Sequence, residues 1–126
     1  MNNTYMENLA RDIESGKLES SAVCTIVRCY KIAKYYEADI ITCDEVLWES
    51  DAATIVAVLR KAGINELYIT AQASDMFGVY LLLDNAGLKL RGVVQIENPK
   101  YKKDMDKWGS SFEKRYIPAL RFSFQD

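Results

Sequence analysis

Histidine is missing from all 126 positions. With it go the commonest general base near neutral pH, the usual partner of a serine or cysteine nucleophile, and the commonest metal-binding side chain. Hydrolases of the Ser-His-Asp or Cys-His type are excluded, as are zinc sites that contain histidine. Cysteine is scarce as well. Cys24, Cys29 and Cys43 are too few for a four-thiolate zinc site, and no CxxC occurs. Cys24 and Cys29 lie five apart on a predicted helix, where side chains point about 140° apart and do not bridge. All three read as buried, reduced thiols acting as small hydrophobes. No apolar run approaches the roughly 20 residues needed to cross a bilayer. Met1-Asn2-Asn3-Thr4 lacks the basic and apolar regions of a secretory signal, so the expectation is a cytoplasmic protein without membrane contact.

What remains is ordinary for a globular chain: 49% hydrophobic residues, 27% charged residues and a net charge of −2. That content argues against disorder, and the length leaves room for one domain, residues 1–126. Residues 1–63 read as mainly helical. Thr4 and Glu7 have the spacing of a capping box for a helix from about 5 to 15, ended by Gly16. Ser20 or Ser21 opens a longer helix to about 37, almost wholly apolar except for a stripe of Arg28, Lys31 and Lys34. Such a helix needs cover on most sides. Thr42-Cys43-Asp44-Glu45 reads as a second capping box opening a short turn through Val46, Leu47 and Trp48. Asp51 or Ser50 caps a third helix that stops at Gly63.

Residues 64–126 read as strand, helix, strand, strand. Leu67 and Ile69 alternate with Tyr68 and Thr70 in a strand at 66–71. An apolar helix capped by Ser74-Asp75 follows. A second strand covers 89–97, with Leu90, Gly92, Val94 and Ile96 on one face. A third covers 116–124, where Pro118, lacking an amide donor, points to an edge strand or a strand start. The first two strands, joined through a helix, would form a parallel crossover. The last two would form an antiparallel hairpin with a long tip at 98–115. The class is α+β, with N-terminal helices packed on a small three-stranded mixed sheet. Ala62-Gly63-Ile64 and Ala86-Gly87-Leu88 are matching helix stops, each followed by a strand; they set strand positions and carry no chemistry.

The hairpin tip is the leading candidate for a site. It holds Lys100, Lys102, Lys103, Lys107, Lys114 and Arg115 against Asp104, Asp106 and Glu113, a local +3 in a chain of net −2. Tyr101, Trp108, Phe112 and Tyr116 are interleaved with them. Basic residues among accessible aromatics suit a protein hot spot or single-stranded nucleic acid. The acidic balance of the rest weighs against a duplex binder. A protein partner is therefore expected first and single-stranded nucleic acid second. Two further features are weaker. Carboxylates at Glu37, Asp39, Asp44, Glu45, Glu49 and Asp51 cross two predicted helix starts, where the helix dipole alone explains several. Gln72-Ala73-Ser74-Asp75 sits where a strand feeds a helix, a common ligand position, but without a glycine-rich loop. No catalytic residue, metal or cofactor is expected, and the chain reads as a non-enzyme.

Asp44-Glu45-Val46-Leu47-Trp48, Gly63-Ile64-Asn65-Glu66-Leu67-Tyr68-Ile69-Thr70, Ala86-Gly87-Leu88-Lys89-Leu90-Arg91-Gly92-Val93-Val94 and Ile117-Pro118-Ala119-Leu120-Arg121-Phe122 together carry a resemblance. The chain resembles a family of uncharacterised short α/β proteins of gut Firmicutes and their mobile elements, over about two thirds of its length. The resemblance implies a bacterial or phage-related origin and assigns no functional residue. The resemblance implies no known activity; if the origin is a mobile element, small acidic non-enzymatic proteins there often act by binding a host protein, inhibitors of CRISPR nucleases being one such class.

Overall fold

A computed structural model describes residues 2–45, 47–70, 76–109 and 114–124, the side chains of Met76, Lys102, Asp104, Asp106 and Lys107 apart. Helix α1, Thr4–Glu14, is capped by Asn3, whose side chain accepts from the Met6 amide at 3.0 Å. Asn3 takes the role expected of Thr4, which is the first helical residue instead. Helix α2, Ser21–Tyr35, is capped by Ser20 and ends two residues before the expected 37. Glu37 stops it in the left-handed conformation, at φ 56°. Its amide and that of Ala38 close back on the Lys34 and Ala33 carbonyls.

Strand β1, Thr42–Cys43, replaces the expected capping box. The two residues carry β-branched and buried side chains and pair in parallel with the strand at Glu66–Ile69, β2. Tertiary pairing wins there over the local capping signal. A 3₁₀ turn at Glu49–Asp51 leads into α3, Ala52–Ala62, which Gly63 ends at φ 70°. Helix α4, Met76–Asn85, precedes β3, Leu88–Glu97; α5, Pro99–Trp108, precedes β4, Tyr116–Phe124.

The sheet has four strands in the order β1-β2-β4-β3, one more than the sequence pattern suggests. β4 is antiparallel to both β2 and β3. The strand–helix–strand unit is therefore right in direction, with β2 and β3 parallel, but split: β4 lies between them, so they share no ladder. Among the described residues β2 pairs with β4 only as far as Leu120, and the described strand beside Pro118 is β3. A register shift between Leu90 and Gly92 breaks the expected alternation of β3. Leu90 pairs with Phe122 and Val93 with Leu120, so these two residues share one face although an odd number of positions separates them.

That face carries the core. Leu67, Ile69 and Phe122 are buried with Leu88, under Ile55, Leu59, Val79 and Leu83 of α3 and α4. Burial of each large side chain is worth about 1.5–3 kcal/mol, enough to override a single local signal. α2 brings Ile26, Cys29 and Tyr30 into the same cluster, and α1 adds Met6 and Ala10. The two helix stops meet in space: the Arg60 guanidinium, from the end of α3, donates to the Ala86 carbonyl at 3.1 Å and lies 4.4 Å from the Phe124 ring centre. The cationic stripe of α2 is spent on ion pairs, Arg28 with Glu45, Lys31 with Glu14 at 2.9 Å, and Lys34 with Glu7. Among the described residues, no helix is long and apolar enough to cross a membrane.

Candidate functional site

The segment between β3 and β4 is not an irregular hairpin tip. Asn98 and Pro99 start a helix there, the asparagine as cap and the proline at the first helical position, where its missing amide costs nothing. Asn98 is buried; its side chain accepts from the Lys100 amide at 3.1 Å and its own amide donates to the Arg115 carbonyl at 2.8 Å. That last bond ties the two feet of the excursion together. Gly109, at φ 70°, ends the helix with its amide on the Met105 carbonyl at 2.9 Å.

On α5 the predicted residues separate into an inward and an outward group. Lys100 lies 3.8 Å from the Asp44 carboxylate, and Lys103 lies 3.5 Å from that of Glu37 and 5.7 Å from the Tyr35 ring centre. The basic tip and the acidic segment, two separate candidates in the sequence, thus face each other and partly neutralise one another. Arg115 stands over the rings of Tyr101 and Tyr116, at 5.9 and 5.3 Å. Trp108 keeps 64% of its surface exposed and Met105, three residues before it, 38%. Lys114, Arg115 and Tyr116 are exposed in the chain that leads into β4. The side chains of Lys102 and Lys107, all of Phe112, and the Gln72-Ala73-Ser74-Asp75 segment lie outside the described residues.

Open clefts run along the inward side of α5. One, of about 320 Å³, is walled by Tyr36, Thr42, Asp44, Thr70, Lys100 and Lys114. A second of similar size shares Tyr36, Asn98 and Pro99 and is bounded by Glu37 and Asp39. The acidic segment is accounted for differently from the helix-start reading. Glu37, Asp44 and Glu45 answer cations across the fold, and only Glu49 and Asp51 stand at a helix start. Among the described residues, no three Cys, Asp or Glu side chains gather in a way that could hold a metal ion.

Elsewhere the ionisable groups are tied into structural links. On the sheet face away from α4, Glu66 accepts from Arg121 and from the Tyr68 hydroxyl, both at 2.7 Å. Arg121, then Tyr68, hold the Glu66 carboxyl below its ordinary range, while burial pushes Tyr68 up. Glu7 is lowered by Lys34 and then Tyr30, and Lys34 is raised by Glu7. These shifts move away from neutrality, the opposite of what a group poised for proton transfer requires. The Cys29 thiol contacts that of Cys43 and is pushed up by that hydrogen bond and by burial.

A family described as a domain of unknown function, DUF7698, matches residues 25–124. The chain belongs to this family. No curated protein and no solved structure matches it. The DUF7698 match opens at Thr25, one turn into α2, and closes at Phe124, the last residue of β4. It therefore takes in the whole sheet and α5, and leaves α1 outside. Sequence reasoning missed Met105 as a surface residue of this DUF7698 chain because the tip was not read as helical. The signal was present in Asn98-Pro99 and Gly109, a start and a stop ten residues apart.

Proposed function

We propose that this chain is a non-enzymatic protein-interaction module whose contact face is the outer side of α5 and the residues leading into β4. The observation that carries the reading is the outward display of Met105 and Trp108 one turn apart on a helix whose other flank is pinned by Lys100 and Lys103. Tryptophan and methionine are enriched in the buried centres of protein interfaces, whereas lysine is depleted there. A helix already held in place loses little conformational entropy on docking. Arg115, over the ring of Tyr101 one turn before Met105, supplies a polar rim to that apolar pair. The finer form of the proposal is an inhibitor that works by occupying a host protein, as inhibitors of CRISPR nucleases do.

The test is affinity capture from a bacterial host lysate with nuclease treatment, comparing the unaltered chain with Trp108→Ala. Capture is expected to survive nuclease and to be lost in the variant, whose circular dichroism stays native because 64% of the Trp108 surface is exposed. Unchanged capture by Trp108→Ala would sink the proposal. Release by nuclease would overturn it in favour of single-stranded nucleic acid, bound through Lys100, Lys102 and Lys103.

A further inference from the structure

We infer that the groove between α5 and the chain around β1 binds a short peptide with free termini, its ammonium end at Glu37, Asp39 and Glu97 and its carboxylate end at Lys100 and Lys114. This groove lies on the flank of α5 away from Met105 and Trp108 and does not depend on their contact. The two clefts along it adjoin, because Tyr36, Asn98 and Pro99 wall both. Each holds about 320 Å³, at the lower end of the range for small-molecule sites. Their charges are opposite. Glu37, Asp39 and Glu97 line the first, with no cation among its described walls; Lys100 and Lys114 line the second, against one carboxylate, Asp44. A groove acidic at one end and basic at the other suits a ligand that carries both charges, and it fixes the direction in which that ligand lies.

The fold leaves these charges available. Among the described residues, Asp39, Glu97 and Lys114 have no ion-pair partner. Lys100 faces Asp44 at 3.8 Å and Glu37 faces Lys103 at 3.5 Å, loose surface pairs that a ligand can share or replace.

Asn98 marks the groove as built for a polar ligand. It is 6% exposed, and its Oδ1 is spent on the Lys100 amide. Its Nδ2 donates to nothing among the described residues. The sealed side-chain atom without a partner among them is Glu45 Oε2, so the Asn98 Nδ2 opens onto the clefts that this residue borders. A nearly buried amide donor without an acceptor is costly until something accepts from it. At the wall common to both clefts, it stands where a peptide carbonyl passes between the charged ends.

Length points the same way. The groove runs beside residues 39–44, which span at most about 17 Å at roughly 3.3 Å per residue. That exceeds a single amino acid and fits a peptide of about three to four extended residues. Ile40 in the first cleft, and Ile32 and Ile117 in the second, offer apolar contact to its side chains. Asp44 and Thr70 follow the carboxyl ends of the parallel strands β1 and β2, the end of a sheet where ligands gather in α/β folds.

Titration calorimetry with trialanine, its N-acetyl form and its carboxyl-amide form tests this. Trialanine is expected to bind saturably, with Kd in the range of about 0.1–1 mM. Blocking either terminus should weaken binding about tenfold. Lys114→Glu is expected to weaken binding of trialanine and not of its carboxyl amide; Asp39→Lys is expected to weaken binding of trialanine and not of its N-acetyl form. Asn98→Ser keeps a helix cap while removing the amide donor, and should weaken all three forms with unchanged circular dichroism. Asp39 and Lys114 are exposed, so the two charge variants decide the matter even where Asn98→Ser fails to fold. No saturable binding of trialanine would overturn the inference. N-acetyl-trialanine bound as tightly as trialanine would overturn it in favour of a plain carboxylate site at the lysines.

Discussion

Tyr30→Phe removes one oxygen atom from a side chain that links α1 to α2, and its cost can be worked out. The Tyr30 ring is fully buried, so phenylalanine fills the same space and leaves no cavity. What is lost is a relay. The hydroxyl accepts from the Asn3 amide at 3.0 Å and donates to Glu7 at 2.9 Å. Glu7 in turn pairs with Lys34, and Asn3 donates from its side chain to the Ala62 carbonyl at 2.8 Å. One hydroxyl thus joins α1 to α2 at a point also tied to the end of α3. A neutral hydrogen bond contributes about 1 kcal/mol and one to a charged group about 1.5–3 kcal/mol. Glu7 is partly exposed and keeps Lys34, so water repairs part of its loss. The expected total is about 2 kcal/mol. In a domain of this size that corresponds to a melting-point fall of roughly 8 °C. Urea unfolding followed by circular dichroism measures it directly. In a Glu7→Gln background the same change should cost about 1 kcal/mol less, since the two groups share the bond. The Glu7 carboxyl is held below its ordinary 4.5, so its contribution is full above that pH and fades as pH falls through the lowered folded value. The Tyr30→Phe penalty should narrow in acid accordingly. A loss below about 0.5 kcal/mol at neutral pH, within the scatter of ordinary surface changes, would refute the relay.

Two other outcomes follow from the same physics. Glu37 holds a left-handed conformation that costs a non-glycine residue about 1–2 kcal/mol. Its ion pair with Lys103 is on the surface and contributes less, so Glu37→Gly should raise stability by about 1 kcal/mol in urea unfolding. A loss of stability would show that the Lys103 contact matters more than the backbone. Glu66, lowered first by Arg121, stabilises the fold above its unfolded value and loses that contribution as pH drops through the folded one. Carboxyl-carbon NMR titration should find Glu66 below 4.5, moving up in Arg121→Gln. No movement would place the cause elsewhere.

β4 was readable to the residue, Tyr116–Phe124, because alternation and flanking polar residues coincide there. The ends of α3 and α4 were equally plain, since a glycine must follow a helix that turns back toward a strand. β1 was not readable. Two residues give no periodicity, and Thr42 and Cys43 become a strand through pairing with Tyr68 and Ile69, 26 positions on. The bulge at Leu90–Gly92 was hidden for a related reason: one extra residue leaves the composition of a strand unchanged and swaps its faces. α5 carried its own cap and stop, yet its density of lysine hid them. The pairing of Lys100 with Asp44 and of Lys103 with Glu37 was beyond any local pattern, because it depends on where the chain returns in space.

The interior position of β4 has a consequence for how the chain comes together. β1, β2 and β3 all precede it in synthesis, and β2 and β3 have no ladder with each other. Until β4 is made, β3 can only wait beside α4, with apolar side chains such as Leu88 lacking their cross-strand partner. Beyond the short β1–β2 pair, the sheet therefore cannot grow strand by strand as the chain emerges. It should assemble in one late, cooperative step, preceded by a long interval in which two strand edges stand open.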